Sequence, residues 1–152
     1  DIIMAIAITN LRGNCLIVAR NLDDLNAVFP HHGLYDSVAG QKHEISDSEF
    51  DQVRFREKIL TFDGTSLNYA DNDFSMPDEE NLTAHIEDSK KILDNILATP
   101  RFGEGALKTD AQSYRAELDN LDISSVTYPF TKTLERHMSD LGHTVVSSLQ
   151  FK

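Results

Sequence analysis

Six histidines and a surplus of acids give this chain the raw material for metal chemistry. His31 and His32 are adjacent, and in a loop they could converge with His43. His137 and Asp140 stand three apart, on one face of a helix, and His143 follows just past Gly142. Zinc or iron needs three or four such ligands meeting at a point, after which a bound water becomes a usable nucleophile. His137, Asp140 and His143 are therefore the candidate metal set, and a metal-binding domain or metal-dependent hydrolase is the alternative reading they support. No H-E-x-x-H spacing gathers them in advance. Cys15 lies in an apolar run and reads as a small core residue rather than a nucleophile. Being the single cysteine, it excludes an internal disulfide framework and any multi-cysteine metal site. That fits a reducing compartment or a virion better than secretion.

Other motifs stop short of a site. Asp71-Asn72-Asp73-Phe74-Ser75 begins as a calcium loop does, but Met76 and Leu82 stand where an EF-hand places its glycine and its bidentate glutamate. Thr61-Phe62-Asp63-Gly64-Thr65 resembles the D-x-D-G-T motif of haloacid-dehalogenase-type phosphatases, yet Thr61 replaces the nucleophilic aspartate. Asp63-Gly64 reads instead as turn chemistry. Gly103-x-Gly105 follows a helix and lacks a third glycine, so it does not make a phosphate loop. No serine stands in a G-x-S-x-G context, and the sequon Asn81-Leu82-Thr83 falls inside a helix. No catalytic residue and no cofactor is implied, which leans the reading away from an enzyme.

Charge says more. The net charge is −11, and residues 45–98 hold thirteen acids against five bases. Thr61 to Ser89 contains eight acids and no lysine or arginine. Such a surface repels nucleic acid and anionic lipid, and suits a basic partner, a cation or simple solubility. Against it stand Arg54, Arg56 and Lys58, alternate residues that would share one face of a strand. Like charges so placed repel unless acids compensate, from the same subunit or a neighbour. The candidate interaction residues are thus Arg54, Arg56 and Lys58 on one side, and Asp71, Asp73, Asp78, Glu79 and Glu80 on the other.

The elements that must position these residues follow from periodicity. Ile2 to Thr9 and Cys15 to Arg20 are apolar runs joined by a turn with Gly13 and Asn14, predicting a hairpin with both strands central in a sheet. Asn21 caps a short helix that Pro30 ends. His31 to Glu44 reads as loop. Ser46-Asp47-Ser48-Glu49 is a capping box for a short helical turn near 47–51, followed by a hairpin over 53–61 and 65–69. Ser75 to Ala98 is one long amphipathic helix, with Leu82, Ile86, Leu93 and Ile96 on its apolar stripe and Ser75 as N-cap, lying across the sheet. Thr109-x-x-Gln112 opens a second helix, Pro129 sits in the first turn of a third, and Gly142 ends it. Thr144 to Phe151 closes the chain as a strand.

The expectation is a single α+β domain over 1–152, with an antiparallel or mixed sheet built from the N-terminal hairpin, the second hairpin and the C-terminal strand, packed by three to four helices. The longest apolar run, Ile2 to Ile8, is far too short to span a membrane. The chain opens at Asp1 rather than Met, leaving Met4 as a candidate native start. The leading functional expectation is a non-catalytic interaction or assembly subunit of a homo- or hetero-oligomer, with copies of itself or other subunits as partners. A viral or phage particle component would fit. A small acidic module binding a basic protein or peptide is a further alternative.

Overall fold

The computed structural model describes residues 4–36, 38–100 and 105–151. Asp1, Ile2 and Gly103, named above, lie outside them. The chain is α+β, with five α-helices and two antiparallel sheets among the described residues. It divides into two compact units, Asp1–Asn72 with Ser147–Lys152, and Asp73–Val146.

The first unit is built on β1 (Ala5–Asn10) and β2 (Cys15–Ala19), the expected hairpin. Gly13 takes φ +82° in the turn, and its carbonyl accepts the Phe62 N–H at 2.8 Å. Helix α1 (Leu22–Val28) is capped by the Asn21 side chain, which accepts the Asp24 N–H. A 3-10 turn follows at His32–Tyr35. Part of the segment expected as loop is strand β3 (Gly40–Ile45), antiparallel to β1 over six residues, from Ala5↔Ile45 to Asn10↔Gly40. The sheet order is β2-β1-β3, so β1 alone is central, where both hairpin strands were expected to be. Helix α2 (Asp47–Arg54) has the full Ser46–Glu49 capping box and is longer than the single turn expected. Strands β4 (Lys58–Phe62) and β5 (Leu67–Asp71) form a separate hairpin. Asp63 turns it by accepting the Thr65 and Ser66 N–H groups at 2.8 Å.

One face of the first sheet buries Ala5, Ala7, Val18 and Ile45 against Phe50 and Val53 of α2 and Leu60 of β4. Alternation puts Ile8 and Ile17 on the other face, the side where α1 supplies Leu25 and Val28. The C-terminal segment is not a strand but a 3-10 turn, Ser148–Phe151. The Gln150 side chain accepts the Ser147 N–H at 3.0 Å, folding back a backbone that a strand would leave extended.

The second unit is helical. Helix α3 (Glu79–Leu97) buries the expected stripe of Leu82, Ile86, Leu93 and Ile96. It packs on α4 (Ala106–Asp119), which buries Leu107, Ala111, Tyr114 and Leu118, and on α5 (Leu134–Asp140), so helices of its own unit cover the stripe. The N-cap is Asp78, not Ser75. Met76 exchanges both backbone hydrogen bonds with Phe130 at 2.8 Å, holding the chain extended until Pro77 is passed. The same bridge keeps Phe130 out of a helix, so α5 starts late, on a Thr133 cap, and Pro129 precedes it. Thr109 lies inside α4, its hydroxyl donating back to the Gly105 carbonyl, instead of capping it. Gly142 (φ +87°) does end α5, with Gly142 and His143 N–H groups returning to the Ser139 and Met138 carbonyls.

Gly13 offers a direct check on this architecture. A Cβ there would run into the Phe62 carbonyl oxygen, on a backbone that already disfavours side chains. Gly13→Ala should lower stability by about 2 kcal/mol or more, read from urea denaturation. Gly33→Ala, with open space around its Cβ, should change it little.

Candidate interaction surface

The three bases expected on one strand face are held in three different ways. Arg54 ends α2 and is 8% exposed. Its Nε donates to Asp51 Oδ1 at 2.8 Å, its Nη1 reaches Gln150 at 3.4 Å, and its guanidinium lies over the Phe50 and Phe55 rings. It therefore clamps the C-terminal segment to α2. Arg56 occupies a left-handed turn at φ +63° and donates to Ser148 Oγ at 3.2 Å. Only Lys58 is in a strand, where it pairs with Asp71 directly across the β4–β5 ladder. The alternation in 53–61 thus spans the end of a helix, a reversal and the start of a strand.

The acidic candidates also have local roles. Asp78 caps α3, and the N–H of Asn81 holds its carboxyl below the usual range. Glu79 and Glu80 are exposed in the first turn, where the helix dipole favours them. Asp73 is exposed. Within the second unit, Lys90 joins Glu87 and Asp119, and Arg115 joins Asp94 and Asp119, tying α3 to α4.

The metal candidates are engaged separately. The His137 ring meets Phe130 edge-on at 5.2 Å, Asp140 accepts from Lys132 at 2.6 Å, and His143 faces Glu117 at 3.2 Å. Among the described residues, no three histidine, cysteine or acidic side chains form a group able to hold a metal ion. His31, His32 and His43 do not gather either. His43 Nε2 is 2.8 Å from the buried Thr9 hydroxyl, and its ring lies 4.5 Å from Phe62. His32 works on the other side of the sheet. Its Nδ1 accepts from Lys42 Nζ at 2.9 Å, so its Nε2 carries the proton and donates to Asn26 Oδ1.

Two hollows in the first unit hold polar side chains. One, of about 360 Å³, lies among the Asn10–Gly13, Gly40–Gln41 and Phe62–Gly64 turns. Asn10 and Asp63 line it, but both spend their oxygens closing those turns. The other, of about 280 Å³, contains Cys15, Arg56 and Lys58 among apolar neighbours. The Cys15 thiol points at the Ile17 carbonyl, 3.7 Å away.

What remains is a backbone feature. β3 is an edge strand, and among the described residues no backbone group pairs with the side facing away from β1. Lys42 and Glu44 project to the α1 side, with Ile6 and Ile8. There they line a hollow of about 260 Å³ with half-exposed Leu22. Lys42 turns to Asp36 (3.1 Å) and His32, while Glu44 is exposed. At the Asn10↔Gly40 end of the ladder, Leu11 and Val38 are each 76% exposed and Leu34 60%. Sequence reading passed over this strand because Gly-Gln-Lys-His-Glu-Ile shows no apolar alternation. The only hint was the unmet demand of β1 for a second partner. No helix among the described residues is long and apolar enough to cross a membrane. Comparison of the chain with family models, curated proteins and solved structures found no match.

Two measurements follow. Arg54→Ala should cost about 2 kcal/mol, from the lost ring contacts and hydrogen bonds, and Arg54→Lys should recover little, because one ammonium cannot reproduce the planar fork. Denaturation curves decide both. Burial lowers the values of His32, His43 and His137 below 6.5, with Lys42 and Lys132 adding to the shift at His32 and His137. Their stabilisation is therefore full above pH 6.5 and is lost as pH falls toward the folded values. The urea midpoint should drop between pH 7.5 and 5.5, and His43→Gln should shrink that drop.

Proposed function

We propose that this protein is a non-catalytic assembly subunit that joins copies of itself or other subunits by pairing at a sheet edge. The observation that carries this reading is the open side of β3 (Gly40–Ile45). Edge strands are commonly blunted by an outward lysine, a proline or a bulge. β3 has no proline, and its one lysine is drawn to Asp36 and His32. Exposed Leu11, Leu34 and Val38 at one end, and Leu22 beside the strand, add apolar area that an incoming partner would cover. Added strands gain affinity from main-chain hydrogen bonds, and specificity from alternate side chains. A particle component, viral or phage, is compatible with this reading.

The charge argument is weaker than the sequence suggested, since Arg54, Arg56 and Lys58 all have partners inside the chain. The reading therefore stands on the backbone. Light scattering after size exclusion, over a range of concentrations and at low and high salt, tests it. A mass that is a multiple of the chain is expected, with slowed amide exchange across Gly40–Ile45. A chain that stays monomeric throughout, with those amides exchanging freely, overturns it.

A further inference from the structure

Resting on the assembly reading, we infer that the partner at β3 is a second copy of this chain, paired antiparallel about a twofold axis at His43, so that Lys42 of each copy lies opposite Glu44 of the other. The geometry leaves few alternatives. A twofold that joins two antiparallel edge strands is perpendicular to the sheet and keeps each face on its own side. Directly opposed side chains in an antiparallel pair also share a face. The axis must then pass through a residue position, never between two. Centred on Lys42, it opposes lysine to lysine. Centred on Glu44, it opposes glutamate to glutamate. Centred on His43, it makes two opposite-charge pairs, and like charges directly opposed are destabilising.

The side chains are placed for that register. Lys42 and Glu44 stand on the same face, both beside the Ile6 and Leu22 hollow. The Lys42 ammonium has three donors and uses two within the chain, on Asp36 and His32. Glu44 is exposed and makes no ion pair among the described residues. On the opposite face His43 is occupied by Thr9 of its own chain, so nothing there has to be undone. The product is a continuous six-stranded sheet, β2-β1-β3 followed by the same strands reversed. Each Leu22 hollow then borders the junction.

Charge reversal tests the register. Glu44→Lys alone makes two lysine–lysine oppositions, and Lys42→Glu alone makes two glutamate–glutamate oppositions. Each variant should self-associate about tenfold more weakly than the native chain in sedimentation velocity. An equimolar mixture of the two restores both opposite-charge pairs and should associate as the native chain does. Lys42→Glu also removes the Asp36 and His32 contacts, so circular dichroism must show it folded. Glu44→Lys reports without that complication. If the native chain associates but the single variants do too, or the mixture fails to recover, the His43-centred pairing is wrong while assembly stands. If the native chain does not associate, both fall together.

Discussion

A strand buried on both faces must have its backbone bonded on both sides, and β1 is the strand under that constraint here. Its N–H and C=O groups are out of reach of water, and leaving them unpaired would cost more than any single side-chain contact returns. The tight hairpin gives it β2 on one side. The other side recruits Gly40–Ile45, a segment with weak strand character of its own. Gly40 shows how close that recruitment is, because a Cβ there would strike the Thr9 carbonyl. Once β3 is in place, Thr9 and His43 can meet inside, α2 starts directly after Ile45, and one backbone edge is left open. The open edge is thus a consequence of satisfying the centre of the sheet.

Much of the charge that looked available for docking closes the chain on itself. Arg54 is held because its long stem and flat head fit between two phenyl rings while its donors reach Asp51 and Gln150. It fastens the last residues of the chain to the unit formed by the first. In the helical unit, Lys90 and Arg115 neutralise carboxylates on both α3 and α4. Arg115 and then Lys90 hold the Asp119 carboxyl below its usual range. These are solvent-facing ties that modestly favour the packed helices over loose ones.

Some helix caps were readable from the residues beside them. Asn21, Ser46 with Glu49, and Gly142 all act as their local patterns imply. The caps that failed, Ser75 and Thr109, had equally good local patterns. At Ser75 the deciding contact was the Met76–Phe130 bridge, fifty-four positions away in the chain. No short window of sequence contains both ends of it.

By itself, then, the sequence determined the α+β class, the two hairpins with their turns, and the apolar stripe of the long helix, because periodicity and turn chemistry act over a few residues. Only the tertiary structure decided that Gly40–Ile45 is a strand, that Ser148–Phe151 is not, and that Arg54, Arg56 and Lys58 do not share a face. Each of those outcomes depends on a backbone or side-chain partner far along the chain, and a distant partner that satisfies a buried polar group outweighs local preference.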